Sequence, residues 1–316
     1  MNSKLENANS PVVRGTTVSP DWLSLNRKWK KVGLFTLFVG PTFLVFSLIV
    51  LVPFITGIYY AFTDWNGVNG NVTWVGLDNF KYLLTEDKQF QQSFLLTIKY
   101  TFVAIILTNL VGFGLALLVS QMLKTRNILR TMFFLPNLIG GLLLGFIWQF
   151  IFIKGFDSIG RLTGFAFFEL PWLGDEQTAF WGIVIVSVWQ GAGYIMLIYL
   201  AALQNVPLDI IEAAKIDGAN RWEVLRHITL PMVAPAFTIS LFLTISSSFK
   251  IFDVNLSLTN GGPFKSTEML ALNIYTEAFV NNRYGLGEAK ALIFFLVVAA
   301  ITVIQVMITK KREVEA

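Results

Sequence analysis

EAAKIDGANRWEVLRHITLP occupies Glu212–Pro231 and separates two runs of apolar residues. Pro207, just upstream, suits the first turn of a helix, and Asp209 and Glu212 suit its positive end. Leu208, Ile211 and Ile216 form an apolar stripe near helical spacing. Gly218 ends this helix, because glycine adopts the left-handed conformation of a C-terminal cap without steric penalty. Asn220, with Glu223 three residues later, reads as a capping box that opens a second helix carrying Trp222, Leu225 and Ile228. Pro231 and Pro235 mark the entry to the next apolar run. The whole connection, residues 204–232, is far longer than a turn between helices needs. It predicts two short helices meeting at a glycine corner, with apolar residues that something must cover. A lipid surface and a groove in a partner protein both answer that description.

The corner interrupts a chain made for a bilayer. Of 316 residues, 54% are hydrophobic and 14% charged, against about a quarter charged in soluble domains. Six runs are long and apolar enough to cross the hydrocarbon core as helices: roughly Leu34 to Phe62, Leu95 to Val119, Thr131 to Ile153, Phe180 to Leu203, Val233 to Phe252 and Ala291 to Thr309. The predicted fold is therefore an all-α membrane protein with six transmembrane helices. Pro41 and Pro53 are candidate kinks in the first. That run is too long for a signal-peptide core, and no small-residue cleavage site follows it. Residues 1–31 are polar, rich in Ser and Asn, and read as a weakly ordered tail ahead of a membrane domain over residues 32–316.

Basic residues set the orientation. Arg27, Lys28, Lys30 and Lys31 precede the first span. Lys124, Arg126 and Arg130 lie between the second and third, Lys215, Arg221 and Arg226 between the fourth and fifth, and Lys310, Lys311 and Arg312 follow the sixth. The other loops are mixed or acidic, with Asp64, Asp78, Glu86 and Asp87 in the first, Asp157, Glu169, Asp175 and Glu176 in the second, and Asp253, Glu268, Glu277 and Glu288 in the third. Both termini and the glycine corner are expected in the cytoplasm. The formal net charge of +4 follows from these flanks and gives no reason to expect nucleic acid.

Composition also narrows the chemistry. Cysteine is absent and His227 is the single histidine, which leaves no disulfide and argues against zinc or Ser-His-Asp catalysis. No ATP-binding sequence of the form G-x-x-x-x-G-K-[ST] occurs. The middles of the spans carry no Asp, Glu, Lys, Arg or His, and Lys99, Lys250 and Lys290 fall near span ends, where they can snorkel. Proton coupling is thereby disfavoured, while sodium coupling through backbone carbonyls stays open. Neutral polar groups do occur inside. The fourth span places Ser187, Gln190 and Tyr194 at helical spacing, with Gly191 among them. The fifth places Thr244 and Ser248 four apart, with Ser247 beside them. Such groups either join helices or meet a polar ligand. Gly193 and Ser240 read as packing residues, Gln190 and Tyr194 as ligand residues.

Glu212, Ala213, Ala214, Gly218, Ile228, Leu230 and Pro231 match E-A-A, three residues, G, then I-x-L-P, and on these the chain resembles the permeases of ABC importers of type I. "FTDWNG" (Phe62–Gly67), "VGLDNFKYLL" (Val75–Leu84) and "LTNGGPFKSTEML" (Leu258–Leu270) are similar to the sugar-importer branch that includes maltose and glycerol phosphate permeases. The maltose permease itself has extra N-terminal helices and a large external domain, both missing here, and Leu225 stands where many relatives carry Phe. The resemblance implies that Glu212, Ala213, Ala214, Asp217, Gly218 and Ala219 form a coupling helix seated in an ATPase subunit. It implies substrate contacts at Ser187, Gln190, Gly191, Tyr194, Thr244, Ser247 and Ser248, of which only the glycine and tyrosine are identical in type to those of the maltose permease. The expected function is that of a bacterial cell-membrane subunit of a sugar importer, with oligosaccharides as the expected cargo, and not an enzyme. Its expected partners are a second permease, two ATPase subunits that hold ATP and Mg, and an extracytoplasmic solute-binding protein. An ion-coupled carrier and an importer of glycerol phosphate are the alternatives.

Overall fold

The structure is a computed structural model and describes residues 21–121 and 124–310. The described residues fall into two compact units, divided between Thr56 and Gly57. Residues 1–20 of the expected tail lie outside the described residues, and from Asp21 the chain is already helical.

Among the described residues, six helices are long and apolar enough to cross a membrane: Gly33–Tyr60, Lys88–Ser120, Gly141–Thr163, Glu176–Gln204, Arg221–Phe249 and Tyr284–Thr309, hereafter spans one to six. Span one carries Pro41 inside a continuous helix and a π-turn at Ser47–Leu51 ahead of Pro53. Span five repeats this device. A π-turn at Leu225–Thr229, closed by the Leu230 N–H to the Leu225 carbonyl, precedes Pro231. In both cases the wider turn takes up the register where proline supplies no donor. The second short helix expected after the glycine corner is thus the first turn of span five itself.

Span three begins later than the apolar run suggested. Residues 131–153 look continuous, yet the structure ends a first helix, Arg126–Phe134, inside them, follows it with a 3₁₀ turn at Leu135–Leu138 and breaks at Ile139 and Gly140. Pro136 lacks the N–H that would carry the helix onward, and Ile139 is extended. The crossing helix then starts at Gly141 and ends at Gly164, whose φ of 64° makes the left-handed cap. Spans two and four begin at carboxylate caps. Asp87 accepts from the Phe90 N–H at 2.8 Å, and Asp175 accepts from the Gln177 N–H at 3.0 Å.

Spans two and four form the most extensive helix pair, and span five packs against both. Small residues permit the approach. A side chain at Gly112 would meet Ile195, and one at Gly193 would collide with the Phe133 carbonyl. One apolar cluster gathers Leu144, Ile183, Val186 and Leu258, and a second gathers Ala116, Met196, Tyr199 and Val233. The loop from Lys250 to Arg283 is folded rather than loose. Its helix Asp253–Leu258 lies on span three with Asp253 over Gly141 and Ser257 over Gly145. Asn255 then holds the Gly-Gly-Pro turn, donating to the Thr267 carbonyl at 2.7 Å and accepting from the Met269 N–H at 2.9 Å.

Lys290 corrects the snorkelling expectation. Span six starts at Tyr284, so Lys290 sits almost two turns inside it and is fully buried. Its ammonium donates to Glu277 at 2.7 Å and to Asn273 at 2.9 Å, and lies 3.0 Å from Asp87. A buried cation of this kind persists because opposite charges and hydrogen bonds surround it.

Candidate functional site

The break before span three leaves space beside spans two, four and five, and there the structure opens a cavity of about 490 Å³. Ser187, Gln190, Gly191, Tyr194, Thr244, Ser247 and Ser248 all line it. One turn separates Gln190 from Tyr194, and one turn separates Thr244 from Ser248, so each pair projects from one face of its helix. The remaining walls were not read from the sequence. Span two supplies Tyr100, Ala104 and Thr108, spaced i, i+4, i+8. The break supplies Asn137, and the segment after span five supplies Lys250, Phe252 and Asp253. The i, i+4 spacing of Tyr100, Ala104 and Thr108 was a usable signal. Asn137 gave none, because the third apolar run hid the break.

The polar atoms differ in what they still offer. Gln190 Nε2 donates to the Ile139 carbonyl at 3.0 Å, so this amide both satisfies the broken helix and keeps its oxygen free. Ser247 Oγ donates to the Thr244 carbonyl at 3.2 Å. Ser187 Oγ is buried toward Tyr100 without a well-formed hydrogen bond. The Tyr194 ring is 42% exposed. Thr244 is almost fully buried, with only its edge toward the cavity. Lys250 and Asp253 are the charged residues of the lining. Hydroxyls, amides and aromatic rings of this kind can hold a polyhydroxylated solute, whose hydroxyls both donate and accept.

The glycine corner lies beyond the end of span four. From Tyr194 to Gln204 the helix rises about 15 Å at 1.5 Å per residue. The helix Leu208–Ile216 is closed by paired bonds, from the Gly218 N–H to the Lys215 carbonyl and from the Ala219 N–H to the Ala214 carbonyl. This is the Schellman arrangement, and the Gly218 φ of 91° is what it requires. Asp217 forms the cap position. The Asn220–Glu223 capping box is complete: Asn220 Oδ1 accepts from the Trp222 and Glu223 N–H groups, and Glu223 accepts from the Asn220 N–H at 2.7 Å. Glu212 and Ala213 are exposed, and Ala214 is half-buried. Ile211 and Ile228 pack inward on the second apolar cluster. Ile216, 87% exposed, and Trp222, 65% exposed, point away from the chain.

A polar cavity enclosed by membrane-length helices, joined through one helix to a rigid exposed corner, defines a multi-pass membrane permease. Residues 108–314 match the model of the binding-protein-dependent transport system inner membrane component family. The chain is 51% identical over 289 residues to the probable starch degradation products transport system permease protein AmyD of Thermoanaerobacterium thermosulfurigenes, covering 91% of this chain and 98% of that protein. It is 33% identical over 280 residues to the multiple sugar-binding transport system permease protein MsmF of Streptococcus mutans, covering 87% and 96%. Among solved structures, a chain of a bacterial ABC transporter involved in the import of alginate superposes with a TM-score of 0.78 at 20% identity, covering 90% of this chain and 99% of that one; this likeness establishes the fold. The chain belongs to the binding-protein-dependent transport system inner membrane component family and is a multi-pass inner-membrane protein.

Proposed function

We propose that this permease imports oligosaccharides, of the kind released from starch, as one of two permease subunits in a binding-protein-dependent ABC importer. The observation that carries the reading is the gathering of seven neutral residues from spans four and five around one cavity. The names of the relatives support the substrate class, since AmyD is described for starch degradation products and MsmF for multiple sugars. A related alginate transporter is known in complex with a periplasmic protein carrying an alginate pentasaccharide, which supports an extracytoplasmic binding protein as donor. On this reading the glycine corner seats in an ATPase subunit, and two such subunits bind ATP and Mg. This chain binds no nucleotide itself. Closure of the ATPases draws on the corner through spans four and five and opens the cavity outward, and hydrolysis returns it. The corner and both termini then face the cytoplasm.

The test is uptake of labelled maltotriose by proteoliposomes holding the assembled transporter. Uptake should require ATP and the binding protein and should resist ionophores. Transport by this chain alone, driven by an ion gradient, would overturn the reading in favour of a secondary carrier. Excess sn-glycerol 3-phosphate should not compete. Lys250 is the one cation lining the cavity among the described residues, whereas phosphate recognition favours clustered, charge-assisted donors.

A further inference from the structure

Lys250 and Asp253 stand where span five stops and the chain turns along span three. Lys250 follows the last helical residue, Phe249, and Asp253 opens the helix Asp253–Leu258. Asp253 lies over Gly141, while the Leu258 carbonyl accepts from Gln149 Nε2 at 3.2 Å, about 12 Å farther along span three. A Cβ added to Gly141 would lie 3.2 Å from Asp253 Oδ2, and Gly141 itself lines the cavity. The carboxylate thus sits at the cavity end of its helix, above a residue with no side chain to cover it. Ser187 shares the lining and lies about 16 Å along span four from Glu176, so the cavity is at membrane depth. Charged groups at such depth are costly and mark function.

Neither charge is matched within the chain. Lys250 and Asp253 are both exposed. Among the described residues, the ammonium and the carboxylate make no hydrogen bond or ion pair, with each other or with any neighbour. Lys290 shows the opposite treatment, since Glu277, Asn273 and Asp87 surround it.

We propose that Lys250 and Asp253 clamp one ring of an uncharged sugar, Asp253 accepting from its hydroxyls and Lys250 donating to its oxygens. This rests on the sugar-importer reading and names the charge class of the cargo. A carboxylate only accepts and an ammonium only donates, whereas a sugar hydroxyl does both. A neutral polyol therefore satisfies the two charges together. An anionic ligand would match Lys250 and leave Asp253 uncompensated, and a cationic one would do the reverse. Phe252 also lines the cavity, and an edge contact with Tyr275, ring centroids 5.2 Å apart, holds its ring. That ring offers the sugar an apolar face between the two charged residues.

The measurement is ATP-driven uptake by the assembled transporter with saturating binding protein. The probes are maltotriose and maltotriose oxidised to a uronate at either terminal ring. Each rate is taken relative to the unmutated transporter with the same loaded binding protein, which cancels that protein's own preference. Asp253→Asn and Lys250→Met should each slow maltotriose roughly ten- to a hundredfold, as loss of a hydrogen bond to a charged group does. Charge selectivity should move in opposite directions. Asp253→Asn should raise the uronate rate relative to maltotriose, and Lys250→Met should lower it. The double variant should be slower than either single variant, because each residue holds its own part of the sugar.

A purely structural role, such as steadying the start of the helix Asp253–Leu258, slows both sugars alike, and equal slowing in an assembled complex would overturn the proposal. Recovery of maltotriose uptake in the double variant would overturn it too, since the two charges would then serve only each other. If Asp253→Asn prevents assembly, Lys250→Met carries the selectivity test alone, and an unchanged ratio of uronate to maltotriose uptake sinks the clamp. ATP-dependent maltotriose uptake by the unmutated transporter tests the importer reading separately, and it can stand while the clamp falls.

Discussion

The cavity and the glycine corner meet opposite demands. At the corner the Asn220–Glu223 capping box and the paired Gly218 and Ala219 N–H bonds fix the geometry. Its apolar side chains, Ile216 and Trp222, are left uncovered. In the cavity, polar groups such as the Gln190 side-chain oxygen and Tyr194 remain available to a ligand. A rigid backbone with exposed apolar residues suits transmission of force to a protein surface. A set of partly satisfied polar groups suits a hydrophilic ligand that comes and goes. On the importer reading proposed above, the difference separates the motor contact from the cargo contact within one chain.

The largest expected effect tests whether the two regions face different compartments. Single cysteines placed in this cysteine-free chain at Asn69, Asp175 and Asn260 should label completely from outside intact cells. Cysteines at Thr125 and Asn220 should label only after permeabilisation. Labelling of Asn220 from outside would place the corner with the substrate supply and remove the contrast.

Next in size is Gly218→Pro. Proline fixes φ near −65°, and Gly218 holds φ at 91°, so the corner should be lost at about 3 kcal/mol or more. Co-purification of the ATPase should fall roughly a hundredfold by that energy, with sugar binding to the cavity kept. Gly218→Ala keeps the N–H and should be milder, since one left-handed residue costs about 1–2 kcal/mol. Normal ATPase capture by the proline variant would return the corner to the lipid surface.

A smaller effect sharpens the cavity side. Tyr194→Ala should reduce sugar turnover roughly tenfold, equivalent to about 1.4 kcal/mol, while basal ATPase activity stays unchanged. Unaltered turnover and selectivity in the assembled variant would make Tyr194 a packing residue. The smallest expected effect belongs to Trp222→Ser, which removes one exposed ring from the corner. ATPase affinity should drop about three- to tenfold, in keeping with loss of part of one buried side chain, and titration of the ATPase against immobilised transporter reads it directly.

The corner was legible in the sequence because its signals are contiguous: Pro207, Gly218, Asn220 and Glu223 all act within one or two turns of themselves. The six spans were legible for the same reason, since hydropathy is a local sum. What escaped was built between distant segments. The break before span three looked like continuous membrane helix, because Pro136 and Gly140 interrupt an apolar run without changing its polarity. Half the cavity wall followed from that break and from span two. Lys290 was assigned to the lipid headgroups because Asp87 lies two hundred residues away along the chain and shows no local sign of pairing with it.

That lysine has a consequence for how the protein is made. A lysine inside a membrane helix opposes insertion by up to about 2.5–3.5 kcal/mol at the helix centre, and by less toward the end. Lys290 lies about 9 Å along its helix. Span six emerges last among the spans, and its lysine is matched only where Asp87 and Glu277 already wait. Early segments thus complete the site for the final one: a chain whose span two has not settled lacks the Asp87 charge and leaves Lys290 with Glu277 as its one counter-charge among the described residues.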